Sequence, residues 1–171
     1  RVLKILSALG SDEVAAIANA QYRDSITMTD RITALDILEN ISPFYAVASL
    51  EHFYNKYKED TLVMQKYFSI LAASHREGTL DRVMALQNDD AYNELVPNLV
   101  RSLVGVFSRN YKYFHAKDGY GYKFVADKII HIDKINPQMA SALAGAFKIY
   151  KKLNSKNKGQ LNEYATNYTK L

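Results

Sequence analysis

The fold is decided by residues 114–124, which read Phe114-His115-Ala116-Lys117-Asp118-Gly119-Tyr120-Gly121-Tyr122-Lys123-Phe124. This stretch interrupts a chain that is otherwise helical in pattern. Glycine adopts positive φ values at no steric cost, so Asp118-Gly119 predicts a turn. Gly121 predicts either a second turn or a close approach of two backbone segments. We expect a loop with a packing or domain-docking role rather than a substrate contact, formed by His115, Asp118, Gly119, Tyr120, Gly121 and Tyr122.

The rest of the chain has the periodicity of amphipathic helices. Segments 30–38 and 47–57 both repeat apolar residues at helical spacing. The residues that would share one face are Ile32, Leu35 and Leu38 in the first segment and Val47, Leu50, Tyr54 and Tyr57 in the second. Sustained strand alternation is absent, so the sequence predicts an all-α fold.

Capping residues and glycines predict where helices begin and end. Four segments place a capping side chain before a helix: Ser11-Asp12-Glu13, Ser42-Pro43, Asp60-Thr61 and Asn136-Pro137. Gly10 and Gly78 predict boundaries, whereas Gly105 and Gly145 lie within apolar helices and predict close helix packing.

A weak internal repeat indicates how the helices are arranged. Asp30-Arg31-Ile32-Thr33-Ala34-Leu35 is similar to Asp81-Arg82-Val83-Met84-Ala85-Leu86, and both segments begin helices in this interpretation. About ten short helices with brief connections favour stacked antiparallel pairs over a four-helix bundle. We therefore expect a superhelix of the armadillo or HEAT type, an α-solenoid.

Length and composition fit one domain cut from a longer chain. The 171 residues form a single helical-repeat domain, 1–171, that can bury about 70% of its unfolded surface. The chain opens Arg1-Val2-Leu3-Lys4-Ile5, which is too short for a signal sequence or a membrane span and has the character of an internal entry point. The chain has no cysteine, which favours a reducing compartment such as the cytoplasm.

The net charge of +4 is concentrated near the end of the chain. The cluster comprises Lys148, Lys151, Lys152, Lys156 and Lys158. Lysines at helical spacing opposite Phe147, Ile149 and Tyr150 favour a solvated helix face. A nucleic acid or an anionic membrane is the alternative, and the near balance of charge elsewhere disfavours it.

Residue patterns typical of catalysis are missing. The four histidines, His52, His75, His115 and His131, do not form a His-Glu-x-x-His pair. His115 and His131 could converge with a carboxylate such as Asp118 or Asp127 to hold a metal or act as a general base, and a hydrogen-bonded structural role is the alternative. Glycine loops that cradle phosphates are also missing. We expect no catalytic activity from this chain alone.

Five segments in order resemble a known family. They are Met28-Thr29-Asp30-Arg31 with Ala34-Leu35, Leu62-Val63-Met64 with Lys66 and Phe68, residues 97–107, residues 114–124, and Asn136-Pro137-Gln138 with Ala140-Ser141. Together they span nearly the whole chain and resemble the C-terminal helical domain of bacterial aminopeptidase N, a zinc metallopeptidase of the gluzincin group.

The resemblance implies a superhelical domain without a cofactor of its own. In the family, a thermolysin-like domain upstream carries the zinc ligands and the catalytic glutamate, so the parent chain would be a zinc aminopeptidase. The C-terminal domain packs on the catalytic domain and encloses a cavity that only suitable peptides enter. The implied partners are the other domains of the same polypeptide and peptide substrates at the cavity wall, with neither nucleic acid nor membrane.

The same resemblance singles out residues of the cavity wall. Arg101 and Asn98 fall in the run Pro97-Asn98-Leu99-Val100-Arg101-Ser102-Leu103, where the family has an arginine facing the cavity. A guanidinium there could meet the carboxylate or the carbonyls of a peptide, or alternatively pair with a nearby acid. Arg31 is a further candidate, for which a structural ion pair is the alternative.

Two departures from the family pattern limit what the resemblance implies. Val96 precedes Pro97 where relatives often have asparagine, and Ala142 stands where they often have a second cavity arginine. We therefore expect one positive charge fewer in the wall and do not transfer a specificity. A free-standing helical scaffold that binds a peptide or protein is the alternative function, although the apolar first helix, with Val2 and Leu3, favours a domain of a larger chain.

Overall fold

The computed structural model describes residues 2–152 and residue 159, with the side chains of 149–152 left out. The described part contains ten α-helices: α1 (Val2–Leu6), α2 (Asp12–Asp24), α3 (Met28–Ile41), α4 (Pro43–Tyr57), α5 (Thr61–Ala73), α6 (Thr79–Leu86), α7 (Pro97–Val100), α8 (Tyr111–Phe114), α9 (Tyr120–Asp133) and α10 (Pro137–Ala144). A π-helical segment, Arg101–Gly105, directly follows α7, and 3-10 turns occupy Ser7–Leu9 and Gly145–Lys152. The predicted all-α fold is confirmed.

Most helix contacts join elements that are close in the chain, and α5 also packs on the later π segment. α2 packs on α3, α3 on α4, α5 on the π segment, and α9 on α10. Short connections between neighbours produce antiparallel pairs, and stacking the pairs produces the predicted superhelix. Within residues 2–152, none of the helices has both the length and the apolar character that crossing a bilayer requires.

The interior has two hydrophobic cores that meet at α5. One core draws its side chains from α1 to α5, and the other draws them from α5 to α10. Ile70 and Leu71 of α5 belong to the first core, whereas Met64, Phe68 and Ala72 belong to the second. Because α5 is buried from both sides, it joins the halves of the stack into one packed body.

The predicted capping signals are confirmed at three of four helices. The side chains of Ser11, Asp60 and Asn136 accept hydrogen bonds from backbone N–H groups in the first turns of α2, α5 and α10. Ser42 makes no such bond, so its predicted capping role is wrong, and α4 begins at Pro43 without a side-chain cap.

Two further predictions need correction, one for the buried face of α4 and one for the segment that carries Lys148. Val47 is 62% exposed, because α4 turns Ala46, Ser49, Leu50 and Phe53 inward instead. The segment that carries Lys148 is a 3-10 helix rather than an α-helix. Lys148 is exposed, but Lys156 and Lys158 lie outside the described residues, as do the side chains of Lys151 and Lys152.

The loop between α8 and α9 is shorter than the sequence predicts. Gly119 has a φ of 77° and forms the predicted turn, but α9 begins immediately after it, at Tyr120. Tyr120, Gly121 and Tyr122 therefore belong to a helix rather than to a loop. The first turn of α9 presses against α8, where a Cβ on Gly121 would lie 2.8 Å from Cα and from the carbonyl oxygen of Phe114.

Of Gly105, Gly121 and Gly145, only Gly121 lies where another backbone segment comes too close for a side chain. A Cβ on Gly105 would make an ordinary contact, 3.7 Å from Cδ2 of Leu143, and a Cβ on Gly145 would meet nothing within 4 Å. The prediction of close helix packing is therefore wrong for Gly145. At Gly105 a side-chain carbon would make an ordinary contact, so packing there does not require glycine. The backbone approach predicted at Gly121 is confirmed.

A buried carboxylate ties α3 to the connection between α5 and α6. Glu39 is fully buried and accepts hydrogen bonds from the hydroxyl of Ser74, at 2.7 Å, and from the guanidinium groups of Arg76 and Arg82. Because the two arginines are only partly exposed, the bonds are shielded from solvent and hold the three segments in register.

We expect Gly121→Ala to destabilise the protein by about 3 kcal/mol, because the new methyl group meets backbone atoms that cannot move aside. Urea denaturation would measure the change in free energy of unfolding. The matched control is Gly145→Ala, which has open space and should change stability by less than about 1 kcal/mol. Equal effects of the two variants would contradict the close approach.

We expect Glu39→Ala to cost about 3 to 5 kcal/mol, because it leaves two partly buried guanidinium groups without their carboxylate. Thermal and urea unfolding would measure the loss. Lys4→Ala removes an ion pair with Asp36 whose lysine is 69% exposed, and we expect that control to cost less than about 1 kcal/mol.

Candidate functional site

A groove of about 680 Å³ runs across one face of the helix stack. We call it the central groove; α3, α5 and the segment from α7 through residue 109 form most of its lining. Its lining residues are Lys4, Ile32, Thr33, Asp36, Leu62, Gln65, Lys66, Ser69, Ile70, Ala73, Asn98, Arg101, Ser102, Val106 and Arg109. Four of these are lysine or arginine and one is aspartate, so the groove is positively charged.

The single acid of the central groove is already paired. The ammonium of Lys4 lies 3.3 Å from a carboxylate oxygen of Asp36. The described residues provide no ion pair for Lys66, Arg101 or Arg109. Three cations therefore remain available to an anionic or carbonyl-rich ligand.

Arg101 stands where the central groove meets two smaller pockets. One, which we call the arginine pocket, has a volume of about 340 Å³ and is lined by Arg101, Gly105, Ser108, Arg109, Met139, Ala142, Leu143, Gly145 and Ala146. The other, of about 370 Å³, is lined by Val96, Pro97, Asn98, Arg101, Asn136, Gln138 and Met139. Arg101 is thus shared by three adjoining concavities.

Local hydrogen bonds orient the two arginines without neutralising them. Nη1 of Arg101 donates to the side-chain carbonyl of Asn98 at 2.8 Å, and Nε of Arg109 donates to the carbonyl of Gly105 at 3.1 Å. Both acceptors are uncharged, so each guanidinium keeps its full charge. The predicted alternative, a salt bridge from Arg101 to an acid, does not occur among the described residues.

The π segment explains why Arg101 and Arg109 lie together. Eight residues exceed two turns of an α-helix by about 80°. The wider turn of Arg101–Gly105 absorbs part of that excess and brings the two side chains toward one face. A π turn within a helix is often found at a functional position.

The sequence singles out Arg101 but not Arg109, which lines the same pocket. Ala142 does line the arginine pocket and contributes no charge. Arg109 supplies a second guanidinium to the same pocket from another helix turn. No local motif marks Arg109, and its placement follows only from the π segment and from the packing of α10.

Arg31 lies in a different place from Arg101. It lines a separate pocket of about 370 Å³ with Asn19, Tyr22, Arg23, Ala48, Ser49 and His52. Its Nη1 donates to the hydroxyl of Tyr57 at 2.8 Å and its Nη2 to the carbonyl of Ser25 at 2.6 Å. The structure therefore does not bring the two candidate arginines together.

A hydrogen-bonded tyrosine–histidine pair lines the Arg31 pocket. The hydroxyl of Tyr22 donates to the carbonyl of Ser49 at 2.9 Å and lies 2.8 Å from Nδ1 of His52, which then carries the proton of that contact. Burial raises the pKa of Tyr22 to about 12, although the nearby charge of Arg31 acts in the opposite direction. The Tyr22 side chain therefore stays uncharged near pH 7, and its proton is directed at the carbonyl of Ser49.

The residues around the α8–α9 loop bond to one another. Nδ1 of His115 lies 2.7 Å from the hydroxyl of Tyr122, which is fully buried, and Oδ1 of Asp118 accepts from the backbone N–H of Tyr120. Burial lowers the pKa of His115 and favours its neutral form. The side chain of Tyr120 is 63% exposed.

The histidines do not form a metal centre with the carboxylates named above. Nε2 of His131 lies 2.7 Å from a carboxylate oxygen of Glu94, whereas Nδ1 of His115 contacts the hydroxyl of Tyr122. Hydrogen bonds from His131 and then Lys128 lower the pKa of Glu94. Within residues 2–152 and residue 159, the structure holds no group of three histidine or acidic side chains that could bind a metal. A metal site shared by His115 and His131 therefore does not occur among these residues.

Comparisons with known proteins identify relatives of this chain. Residues 1–164 match a family described as a domain of unknown function (DUF3458_C) with ARM repeats. Aminopeptidase N of Haemophilus influenzae is 33% identical over 128 residues, which cover 74% of this chain and 15% of the relative. Aminopeptidase N of Escherichia coli is 31% identical over 138 residues, which cover 80% and 16% respectively.

A solved structure shares the fold. The crystal structure of Legionella pneumophila aminopeptidase A in complex with aspartic acid matches with a TM-score of 0.85 and 30% identity, over 90% of this chain and 18% of that one. The chain thus spans between 15% and 18% of the length of these relatives.

Proposed function

The chain belongs to the family of C-terminal ARM-repeat domains of aminopeptidase N-like proteins, and we propose that it walls the peptide cavity of such an enzyme. In this role the domain packs on the catalytic domain and restricts which peptides reach the zinc during removal of N-terminal residues. The central groove would be the part of the wall that faces the peptide.

The position of Arg101 carries this proposal. It lines the central groove and both neighbouring pockets, so a peptide entering any of the three would pass its guanidinium. Carbonyl oxygens and carboxylates are the groups that an arginine fork binds best. Asn98 holds one end of the fork, which leaves the remaining N–H groups for the peptide.

Contact with other domains is supported by apolar surface near the start of the chain. Val2 and Ile5 of α1 are 71% and 74% exposed. Apolar side chains of this size gain free energy when another surface covers them. We propose that the covering surface belongs to the same polypeptide, as the length of the relatives suggests.

Zinc chemistry would reside elsewhere in the parent chain. The described residues do not fit a zinc ion, because three suitable ligands do not come together among them. We propose that this domain supplies shape and positive charge to the cavity and that another domain holds the metal. The lack of cysteine in the chain fits a reducing compartment, and we propose the cytoplasm.

We expect Arg101→Ala in the full-length enzyme to lower kcat/KM for peptides of several residues by about tenfold. In the proposed arrangement a chromogenic amide of one amino acid would not reach the groove, so its hydrolysis should change by less than about twofold. Steady-state kinetics on both substrates would measure the difference.

A matched control is Arg23→Ala, which removes an exposed arginine from the separate Arg31 pocket. We expect this control to leave both substrates unaffected. Equal losses on the peptide and on the amide in Arg101→Ala would contradict a wall contact and would indicate general destabilisation instead.

A further inference from the structure

The arginine pocket has an unusual composition for a surface concavity. Two guanidinium groups line it, from Arg101 and Arg109, and none of its nine lining residues is acidic. Each guanidinium is oriented by one bond to an uncharged oxygen. The remaining N–H groups of both side chains can therefore converge on an anion.

The other side of the pocket is apolar. Met139 and Leu143 of α10 are buried to 3% and 4% exposure, and Ala142 and Ala146 add two methyl groups. Ala142 leaves open the space that a longer side chain would fill. An occupant of this pocket would combine a negative charge with a small or medium apolar group.

We propose that the arginine pocket binds the C-terminal carboxylate of a peptide substrate, with the last side chain of the peptide on the surface of Ala142 and Leu143. The proposal rests on the proposed function, because it assumes that the peptide backbone lies in the central groove. Arg101 and Arg109 line both the groove and the pocket, so a chain lying in the groove meets the pocket at these two residues.

A carboxylate fits this pocket better than a neutral group does. Burying a guanidinium beside a ligand that does not accept hydrogen bonds leaves a charge without compensation. A carboxylate accepts two parallel N–H bonds from one arginine, and a second arginine can bind its other lone pairs. Arg109 thereby acts as a residue that selects for free peptide ends, while Arg101 also meets the peptide backbone.

Selection of a free end would set a preferred peptide length. A peptide with its amino terminus at the catalytic centre and its carboxylate in the arginine pocket must span the distance between them. Shorter peptides would lose the contact with Arg109, and peptides with a blocked end would lose it at any length. The pocket would then discriminate among substrates by their far end rather than by the residue removed.

The test uses the full-length enzyme and two peptides of the same sequence, one with a free terminal carboxylate and one with a terminal amide. The probe is the ratio of kcat/KM for the acid to kcat/KM for the amide. We expect the ratio to exceed about ten in the unmodified enzyme over at least one peptide length. In Arg109→Gln it should fall about tenfold, chiefly through KM.

Two further variants make the result specific. Arg109→Lys keeps the positive charge but not the fork, and we expect it to recover part of the ratio. Arg23→Gln removes an arginine outside the groove and should leave the ratio unchanged. A ratio near one in the unmodified enzyme at every peptide length, or an unchanged ratio in Arg109→Gln, would overturn the carboxylate pocket.

Failure of this inference can be told from failure of the proposed function. If Arg101→Ala weakens peptide hydrolysis selectively while Arg109→Gln leaves the acid-to-amide ratio unchanged, the wall contact holds and the carboxylate pocket is overturned. If, in addition, Arg101→Ala affects peptides and single-residue amides equally, both the wall contact and the carboxylate pocket are overturned.

Discussion

The structure depends on the burial of α5 from both sides. A helix on the outside of a solenoid buries one stripe of side chains, whereas α5 gives Ile70 and Leu71 to one core and Met64 and Phe68 to the other. The chain cannot lose either neighbour of α5 without exposing apolar surface. The carboxylate of Glu39 strengthens the same junction, because it ties α3 to the residues just after α5. The central groove lies over this junction, and six of its lining residues belong to α5.

Much of the fold was predictable from local sequence, since capping and periodicity act over a few residues. Asp60 and Asn136 cap their helices as expected, and Gly121 makes the close backbone contact that was one of the two alternatives for it. The errors arose where packing overrode local preference. Val47 fits a helical stripe, but α4 is rotated so that Ala46 is buried instead.

The candidate site was predictable only in part, because a groove joins residues from distant segments. Arg101 was found through its motif, and its three concavities then follow from the stacking of α5, α7 and α10. Arg31 has an equally recognisable motif yet lies in another pocket, since a motif fixes a residue on a helix but not the face that neighbouring helices leave open. Arg109 has no motif at all, and its place beside Arg101 depends on a helical irregularity that no periodicity indicates.

The π segment has a consequence for how this region can vary among related chains. A π turn holds one residue more than an α turn, so deleting a single residue between Arg101 and Gly105 would restore a regular helix without breaking it. Arg109 would then be the seventh residue after Arg101 in a regular α-helix, and seven residues fall only about 20° short of two full turns. Arg109 would therefore keep its face of the helix, and the apolar residues of the same stretch would keep theirs. Related chains could therefore differ by one residue in this segment and still place an arginine beside Arg101, because the π turn accommodates the additional residue without turning the helix that follows.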